Sequence, residues 1–384
     1  MNDALKVFVV AGEPSGDRIG AALVNALRER RRLDLNGVGG PALGEVGLTS
    51  LFPMDDLSVL GLVDALRRLP LLLWRIRQTT GAIRRLRPDI VVLIDAQEFS
   101  VRVARAVRRF DPALPIVLYG APTVWAWRPE RAERIAGVYT EVLAVLPFEP
   151  AVMRRLGGPP TSFVGHPAVD RLAGSGADRN SDLVALFPGS REGELRRNLP
   201  TVLEASIIVR RARPETRFVL PTLPGLAATV ERAVTAGGAS VRVVSARRNA
   251  EAAMNEAAIA AAAFGTVTLE LAAAGTPMIG FYVGDSVQMR SYRKYRPKYL
   301  SLPNIVLDDD VVEELVMAAP DADRLAARIL ALLDDADGQA AQRAAFDRLR
   351  ALMRKGEPDG PRQEAAERVL ALADAGGQRF SKGT

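Results

Sequence analysis

The residue best placed for catalysis is Asp95, which directly follows the aliphatic run Ile90–Ile94. Such a run is typical of a parallel strand that is covered on both faces, and ligands gather where these strands end. The chain has no cysteine and a single histidine, His166, which excludes thiolate chemistry and argues against a Ser-His-Asp triad. Catalysis must then depend on carboxylates, arginines and backbone amides. Asp95 is therefore the first catalytic candidate, and capping of the following helix is the alternative.

Two junctions between a predicted strand and a predicted helix have the composition of phosphate-binding loops. Gly189-Ser190-Arg191 offers backbone N–H groups, a helix dipole and a guanidinium group, and Gly265-Thr266 offers the same backbone geometry. Glu270 can accept hydrogen bonds from both hydroxyls of a ribose, and Glu194 is a further candidate ligand. Together these residues predict a nucleoside-diphosphate site, although ordinary α/β turns look similar. No G-x-x-x-x-G-K-[ST] or G-x-G-x-x-G motif occurs, which argues against an NTPase and a dehydrogenase.

Two further turns carry candidate contacts to a substrate. The turn Gly12–Asp17 follows the first predicted strand and contains Glu13 and Ser15; capping of the next helix by Ser15 or Asp17 is the alternative. In the aromatic turn, Trp125 and Trp127 flank one alanine and point to opposite sides of an extended chain. We therefore expect one of them to pack inward and Trp127 to face a ligand, with two core aromatics as the alternative.

The elements that must position these residues alternate between strand and helix patterns, which predicts parallel α/β construction in both halves. We expect two doubly wound, Rossmann-like domains at residues 1–172 and 182–360, with a cleft between them and a linker at 173–181. A C-terminal helix and tail occupy 361–384, and packing of this helix on the first domain is left open. Within the first domain, Pro70 predicts the first turn of a helix.

The 384 residues carry a net charge of +6, and most of the positive charge is arginine. Because arginine binds phosphates and carboxylates, a phosphorylated substrate, an anionic lipid and nucleic acid all agree with this charge. The sequence has no zinc-finger or RNA-recognition pattern, so we expect no nucleic-acid partner. No apolar run approaches the roughly 20 residues that span a bilayer, and the N-terminus lacks the pattern of a secretory signal. A cytoplasmic location is expected.

The segment Leu57–Arg85 combines apolar and basic residues at helical spacing. Its apolar residues include Leu69, Leu73 and Trp74, and arginines lie between and beside them. A helix of this kind can lie in the surface of an anionic membrane without crossing it. An amphipathic helix that faces the protein core is the alternative.

Several short segments along the chain point to one known family. Each is weak evidence alone, but their order and spacing together are highly specific. They are Ala11–Asp17, Gly37–Pro41, Leu57–Gly61, Ile94–Ala96, Val124–Arg128, Leu146–Glu149, Phe163–Pro167, Pro188–Arg191 and Ser301–Asn304. In these segments the sequence resembles the lipid-A-disaccharide synthases, inverting glycosyltransferases with the two-domain GT-B fold. The resemblance runs from about residue 7 to residue 369.

The resemblance implies transfer of 2,3-diacylglucosamine from UDP-2,3-diacylglucosamine to 2,3-diacylglucosamine 1-phosphate, which gives a β-1,6-linked disaccharide and UDP. No metal or other cofactor is expected. The first domain would hold the acceptor and the second the UDP-sugar, at the cytoplasmic face of the inner membrane, to which the Leu57–Arg85 segment would bind. A homodimer is left open. By the same resemblance, Asp95 is the general base for the acceptor's 6-hydroxyl. Arg191 offsets charge on the departing UDP, Glu270 binds its ribose, and Asn304 lies in the UDP site.

Several positions depart from the pattern of the resembled family. Leu118 replaces a usual histidine, Gln97-Glu98-Phe99 differs from the usual Pro-Asp-Phe, and Phe264 replaces a serine before the second phosphate-binding loop. A phenyl ring cannot donate the hydrogen bond that a hydroxyl gives a phosphate. A divergent paralogue that binds nucleotide sugar or lipid without turnover therefore remains open, as does another GT-B enzyme on UDP-GlcNAc such as a 2-epimerase. Because Asp95 and Arg191 are retained, we expect an active enzyme.

Overall fold

The computed structural model describes residues 4–57, 62–172, 179–358 and 360–381, with the backbone alone at 62–67 and 377–381. Two compact units are present: Met1–Pro167 together with Lys355–Thr384, and Ala168–Arg354. The motif residues 58–61 and most of the expected linker, 173–178, lie outside the described residues.

The first unit begins with a parallel sheet whose strands alternate with helices. Its elements are β1 (Leu5–Ala11), α1 (Pro14–Arg28), β2 (Leu33–Val38), α2 (Pro41–Glu45), a 3₁₀ turn (Met54–Leu57), α3 (Leu62–Leu86), β3 (Ile90–Ile94), α4 (Gln97–Phe110), β4 (Ile116–Tyr119), α5 (Glu130–Arg134), β5 (Glu141–Ala144), α6 (Glu149–Arg155) and β6 (Thr161–Phe163). The strand order is β2-β1-β3-β4-β5-β6, and every neighbouring pair is parallel. The chain passes from β1 outward to β2 and then crosses back to β3. The order therefore reverses between β1 and β3, and ligands of open α/β sheets bind beyond the carboxyl ends at such a reversal.

The second unit repeats this construction. Its elements are α7 (Pro167–Leu172), β7 (Asn180–Phe187), α8 (Glu192–Ala212), β8 (Arg217–Pro221), a 3₁₀ turn (Pro224–Leu226), α9 (Ala227–Gly237), β9 (Val241–Val244), α10 (Arg247–Glu256), β10 (Ala257–Ala263), α11 (Thr266–Ala274), β11 (Met278–Val283), α12 (Ser286–Tyr295), α13 (Leu302–Leu307), β12 (Glu313–Met317), α14 (Ala322–Asp334) and α15 (Ala336–Lys355). The parallel sheet has the order β12-β11-β10-β7-β8-β9. Here the strand order reverses between β7 and β10. The predicted fold class, with two doubly wound parallel sheets, is confirmed.

The last part of the chain returns to the first unit. A short hairpin of β13 (Gly356–Glu357) and β14 (Gly360–Pro361) leads into α16 (Ala365–Ser381). The Gln363 N–H donates to the Phe163 carbonyl oxygen at 2.8 Å, and the Arg368 Nε donates to Glu141 Oε1 at 3.0 Å. The apolar side of α16 packs with α1 on one face of the first sheet. The C-terminal helix is thus an integral part of the first unit's core.

The strand that carries Asp95 is held rigidly because both of its faces are covered. All five residues of β3 are fully buried. Val91 and Leu93 lie in the core cluster formed with α3 and α4, whereas Ile90, Val92 and Ile94 lie in the cluster formed with α1 and α16. Alternate residues of a strand point to opposite faces, which explains the continuous aliphatic sequence.

The prediction that Pro70 begins a helix is wrong. Pro70 lies inside α3, which spans 25 residues. Proline removes one backbone hydrogen bond from a helix interior. Leu72 and Ile76, further along the same helix, pack against the core of the first unit. Burial of that apolar face stabilises α3 through the proline, since tertiary packing contributes more to helix stability than local propensity does.

Candidate active site

Asp95 lies in a strained turn at the carboxyl end of β3. Asp95 and Ala96 are both in the left-handed backbone region, with φ of 53° and 43°. Each such non-glycine residue costs on the order of 1–3 kcal/mol, so the surrounding structure must hold the turn in place. Ser100 does so by donating from its Oγ to the Asp95 carbonyl oxygen at 2.8 Å and from its N–H to the Ala96 carbonyl oxygen at 2.9 Å. The N-cap position of α4 is taken by Ala96. Strain of this kind is found where a side chain must be aimed at a ligand.

The Asp95 carboxylate lies between two glycines and a serine hydroxyl. The Ser15 Oγ donates to Asp95 Oδ2 at 3.3 Å. A Cβ atom at Gly16 would lie 2.7 Å from Asp95 Oδ2, and one at Gly120 would lie 3.2 Å from Oδ1. A side chain at Gly16 would displace the acid, and at Gly120 it would press on the acid in a backbone conformation, φ 92°, that favours glycine. Because Ser15 and Gly16 follow β1 whereas Asp95 follows β3, this contact joins the two strand ends where the order of the first sheet reverses.

Neither Ser15 nor Asp17 caps α1, so the capping alternative is wrong for both residues. Glu13 occupies the N-cap position of that helix, without a side-chain capping bond. Asp17 is buried, and its carboxylate accepts hydrogen bonds from the N–H groups of Gly40 at 2.7 Å and Ala42 at 2.8 Å. Asp17 thus satisfies the first amides of α2. This frees Ser15, on the same turn, to contact Asp95.

The aromatic turn after β4 is anchored by a buried acid, Glu149, to which the sequence assigned no individual role. Glu149 Oε1 accepts from Trp125 Nε1 at 3.3 Å, and its Oε2 accepts from the N–H groups of Val145 at 3.1 Å and Leu146 at 3.0 Å. Burial raises the pKa of Glu149 to about 7, and the bonds from Leu146, Trp125 and Val145 oppose this rise. Phe148 also meets the Trp125 ring edge to face, at 5.5 Å between centroids. Trp125 is therefore the tryptophan that packs inward.

Trp127 is the exposed member of the pair, with 40% of its surface accessible. Its Nε1 donates to Thr123 Oγ1 at 3.1 Å. The guanidinium groups of Arg128 and Arg131 lie 4.7 and 4.9 Å from the ring centroid. Two cations against an indole ring stabilise its orientation by cation–π attraction. Trp127 is accordingly held at the surface in a fixed orientation, as a ligand contact requires.

The first of the two predicted phosphate-binding loops, Gly189–Arg191, already binds an anion, the carboxylate of Glu194. Glu194 Oε2 accepts from the Ser190 N–H at 3.1 Å and from the Arg191 N–H at 3.4 Å. Arg191 Nη1 donates to Glu194 Oε1 at 3.3 Å, and 54% of the arginine side chain stays exposed. A Cβ atom at Gly189 would lie 2.7 Å from the same carboxylate. Gly189, Ser190, Arg191 and Glu194 thus form one anion-binding turn at the start of α8, and its internal carboxylate occupies the amides that a phosphate would use.

The second loop follows β10, the neighbouring strand. Gly265 is the N-cap residue of α11, with φ 156° and ψ −165°, and Thr266 is the first helical residue. Thr268 donates from its Oγ1 to the Gly265 carbonyl oxygen at 2.8 Å and accepts from the Leu302 N–H at 3.2 Å. Glu270 lies one turn into the helix with 7% of its surface accessible. The two loops therefore flank the reversal of strand order between β7 and β10.

Asn304 is fully buried, and its amide is used within the protein. Its Oδ1 accepts from the N–H groups of Val311 at 3.0 Å and Val312 at 2.8 Å. Its Nδ2 donates to the Val312 carbonyl oxygen at 2.8 Å and to Glu314 Oε1 at 3.0 Å. These four bonds tie α13 to the start of β12. They identify Asn304 as a residue that holds α13 in place.

An aromatic and basic cluster beside the second loop was missed in the sequence. The rings of Phe264 and Tyr282 stack with centroids 6.5 Å apart and an angle of 22° between their planes. Arg197 Nη2 and Gln288 Nε2 both donate to the Tyr282 hydroxyl oxygen, at 2.9 and 3.0 Å. The residues come from four elements or their ends, and their separation in sequence hid the cluster. A tyrosine near the carboxyl end of a strand that neighbours the second loop was the available signal.

The first half of α3 exposes an apolar strip. Leu69, Leu73 and Trp74 are 37%, 44% and 53% accessible. The Arg75 guanidinium lies 4.1 Å from the Trp74 ring centroid, and its Nε donates to Asp56 Oδ2 at 2.9 Å. No helix among the described residues is both long enough and apolar enough to span a membrane. A helix that faces only the core was the alternative. Leu72 and Ile76 agree with it because they pack against the core, but the exposed Leu69, Leu73 and Trp74 do not.

Comparison with known proteins places the whole chain in one sequence family. The family model for lipid-A-disaccharide synthetase matches residues 7–367. A lipid-A-disaccharide synthase from Rhodopseudomonas palustris (strain ATCC BAA-98 / CGA009) is 40% identical over 375 residues, which are 95% of this chain and 95% of that protein.

Solved structures with little sequence identity share the fold. The S. aureus MnaA–UDP co-structure aligns with a TM-score of 0.62 at 11% identity, over 91% of this chain and 96% of that one. The UDP-GlcNAc 2-epimerase from Neisseria meningitidis, bound to UDP-GlcNAc, aligns with a TM-score of 0.60 at 11% identity, over 90% and 98% of the two chains. At these identities the likeness concerns the two-sheet architecture alone.

Proposed function

The chain belongs to the lipid-A-disaccharide synthase family, and on that premise we propose that it transfers 2,3-diacylglucosamine from UDP-2,3-diacylglucosamine to 2,3-diacylglucosamine 1-phosphate. The products are the β-1,6-linked disaccharide 1-phosphate and UDP. Identity of 40% to a synthase, against 11% to the 2-epimerase of similar fold, favours glycosyl transfer over epimerisation.

In the proposed reaction Asp95 is the general base. Its carboxylate takes the proton of the acceptor's 6-hydroxyl while that oxygen attacks C1 of the donor sugar and the bond from C1 to the UDP oxygen breaks. Attack from the face opposite UDP inverts the anomeric configuration and gives the β linkage. The observation that carries this proposal is the placement of Asp95 in a strained turn, beside Ser15, at the reversal of strand order in the first sheet. Ser15 and Glu13 would contact the acceptor from the same turn, and Trp127 would contact it from the neighbouring one.

UDP is proposed to bind in the second unit. The backbone N–H groups of Ser190, Arg191 and Thr266 lie at the starts of α8 and α11, where amides and helix dipoles favour a diphosphate. The exposed Arg191 guanidinium is suited to neutralise the charge that develops on the departing UDP. Glu270 would hold the ribose. For the phosphates to reach the first loop, Glu194 must release its amides.

The acyl chains and the membrane surface are proposed to meet the exposed strip of α3. Leu69, Leu73 and Trp74 present apolar surface, and arginines lie beside them. An apolar strip edged with cations binds an anionic bilayer surface without crossing it. The protein would then act as a peripheral enzyme on the cytoplasmic face of the inner membrane.

The proposal is tested with purified protein, UDP-2,3-diacylglucosamine and 2,3-diacylglucosamine 1-phosphate in detergent micelles. Mass spectrometry should detect the disaccharide 1-phosphate, and NMR should show a β-1,6 linkage. A 6-deoxy acceptor should give no disaccharide, which checks the attacking hydroxyl. UDP-GlcNAc without acyl chains should be neither transferred nor epimerised. Absence of disaccharide while UDP still binds would instead favour a paralogue that binds its ligands without turnover.

A further inference from the structure

We propose that the Tyr282 hydroxyl donates a hydrogen bond to a phosphate oxygen of the nucleoside diphosphate bound in the second unit. This inference rests on the proposed function, since it assigns a further contact in the proposed UDP site. It concerns a residue that the sequence pattern did not indicate, and it follows from how the hydroxyl oxygen is already bonded.

Tyr282 lies beside the second phosphate-binding loop. Strands β10 and β11 are neighbours in the sheet, and Tyr282 is close to the carboxyl end of β11. Its ring stacks on Phe264, the residue that immediately precedes Gly265 and α11. Gly280 makes this stack possible, because a Cβ atom there would lie 2.5 Å from the Phe264 ring. The ring of Tyr282 is therefore held against the residue that precedes the N-cap of α11, a helix end that favours negative charge.

The hydrogen bonds of Tyr282 fix the direction of its proton. Arg197 Nη2 donates to the hydroxyl oxygen at 2.9 Å, and a guanidinium group cannot accept a bond in return. Gln288 Nε2 donates to the same oxygen at 3.0 Å. The orientation of that amide is set because Gln288 Oε1 accepts from the Asp285 N–H at 3.1 Å. Two incoming donors use the acceptor capacity of the phenol oxygen, so the O–H group must point in a third direction.

Within the described part of the chain, no acceptor takes that remaining proton, and the Tyr282 side chain is half-buried. The Tyr282 hydroxyl is therefore suited to a ligand group that only accepts hydrogen bonds, such as a phosphate oxygen. The Arg197 guanidinium also strengthens the phenol as a donor, because hydrogen bonds in a chain polarise one another. Phe264 brings a ring but no hydroxyl to the loop, so Tyr282 supplies the donor that this side of the loop otherwise lacks.

The test compares UDP with uridine as ligands of the full-length protein by calorimetric titration. Tyr282→Phe keeps the ring and its stack on Phe264 and removes only the hydroxyl. A hydrogen bond to a charged group contributes about 1.5–3 kcal/mol, so the dissociation constant for UDP should rise by about 10- to 100-fold. The dissociation constant for uridine, which has no phosphate, should change by less than about 2-fold, since no bond to it is lost. Tyr295→Phe, an exposed tyrosine of α12, serves as the matched control and should leave both affinities unchanged.

Two outcomes would overturn the inference. Unchanged UDP affinity in Tyr282→Phe would show that the hydroxyl does not bind the phosphates. An equal loss for UDP and uridine would show that Tyr282 only supports the shape of the site. If the unsubstituted protein bound neither UDP nor uridine, the proposed function itself would fail. That result differs from the two outcomes above, in which the unsubstituted protein binds UDP.

Discussion

The Ser190 N–H donates a hydrogen bond of 3.1 Å to the Glu194 carboxylate, so the first phosphate-binding loop carries an anion of its own. The Arg191 N–H and side chain bond to the same carboxylate. This arrangement is the acidic half of a capping box at the start of α8, in which the side chain at the third helical position accepts from the N-cap N–H. If UDP binds here as proposed, its phosphate and Glu194 would compete for the same donors. Glu194 would then keep the loop in shape before the ligand arrives, at some cost in affinity.

We expect Glu194→Gln to bind UDP several-fold more tightly. Glutamine still accepts from the amides of Ser190 and Arg191, but with a neutral oxygen, which a phosphate displaces more easily than a carboxylate. Calorimetric titration measures the change. Glu192→Gln, an exposed position on the same turn, removes the same charge and controls for long-range electrostatics. Weaker UDP binding in Glu194→Gln would mean that Glu194 contacts the ligand directly.

Asp95→Asn should lower kcat by at least about 10²-fold, because a positioned general base contributes about that much to the rate. UDP affinity should stay the same, since Asp95 belongs to the first unit and the diphosphate is assigned to the second. Steady-state assays of disaccharide formation, with a parallel UDP titration, check both expectations. A kcat within a few-fold of the unsubstituted enzyme would remove Asp95 from this role.

Ser15→Ala tests how much the Ser15 hydroxyl contributes to catalysis by orienting the Asp95 carboxylate. The Ser15 hydroxyl contacts Asp95 at 3.3 Å but is not a base, so its loss should reduce kcat by only about 3- to 10-fold, the worth of one long and only partly buried hydrogen bond. The affinity for UDP should not change. A loss of kcat as large as that of Asp95→Asn would point to a direct chemical role for Ser15.

The sequence predicted the features that depend on local pattern. The aliphatic run before Asp95 predicted β3 and placed the acid at a strand end, and the composition of Gly189–Arg191 predicted the turn before α8. What it missed depends on contacts between distant segments. Neither the contact of Ser15 with Asp95, 80 residues apart, nor the bonds that amides at the start of α2 donate to Asp17 can be read from periodicity.

The error at Pro70 has a physical origin. Pro70 was expected to begin a helix because proline lacks an N–H, yet α3 runs through it since the following apolar residues are buried. The local rule was correct, and tertiary packing was stronger. The assignment of Glu194 as a substrate ligand stays a prediction, and the structure shows its carboxylate bonded to the amides of Ser190 and Arg191.

The exposed strip of α3 gives a prediction about membrane binding. Replacing both Leu73 and Trp74 with serine should reduce co-sedimentation with anionic phospholipid vesicles by at least about 10-fold, because each large apolar side chain contributes about 1.5–3 kcal/mol when buried. Phe110→Ser removes exposed apolar surface at the end of α4 and is the control. Equal vesicle binding by the double variant and the control would place the membrane contact elsewhere.

Glu149 gives a prediction about pH. Burial raises its pKa to about 7 in the folded protein, from 4.5 in the unfolded chain. Between these values the unfolded chain releases the proton while the folded protein keeps it, so rising pH favours unfolding. The free energy of unfolding should therefore fall from about pH 4.5 to about pH 7, by about 3 kcal/mol from this group, and level off above that range.

Urea unfolding at pH 5.5 and pH 8 measures this effect. Glu149→Gln cannot ionise, so its free energy of unfolding should fall less between the two pH values than that of the unsubstituted protein, even if it is lower at pH 5.5 because the bond from Trp125 is lost. Glu130→Gln, on the exposed surface of α5, should keep the full pH dependence. Equal falls in the Glu149→Gln variant and the unsubstituted protein would show that Glu149 is ionised well below neutral pH and that the bonds from Trp125, Val145 and Leu146 outweigh its burial.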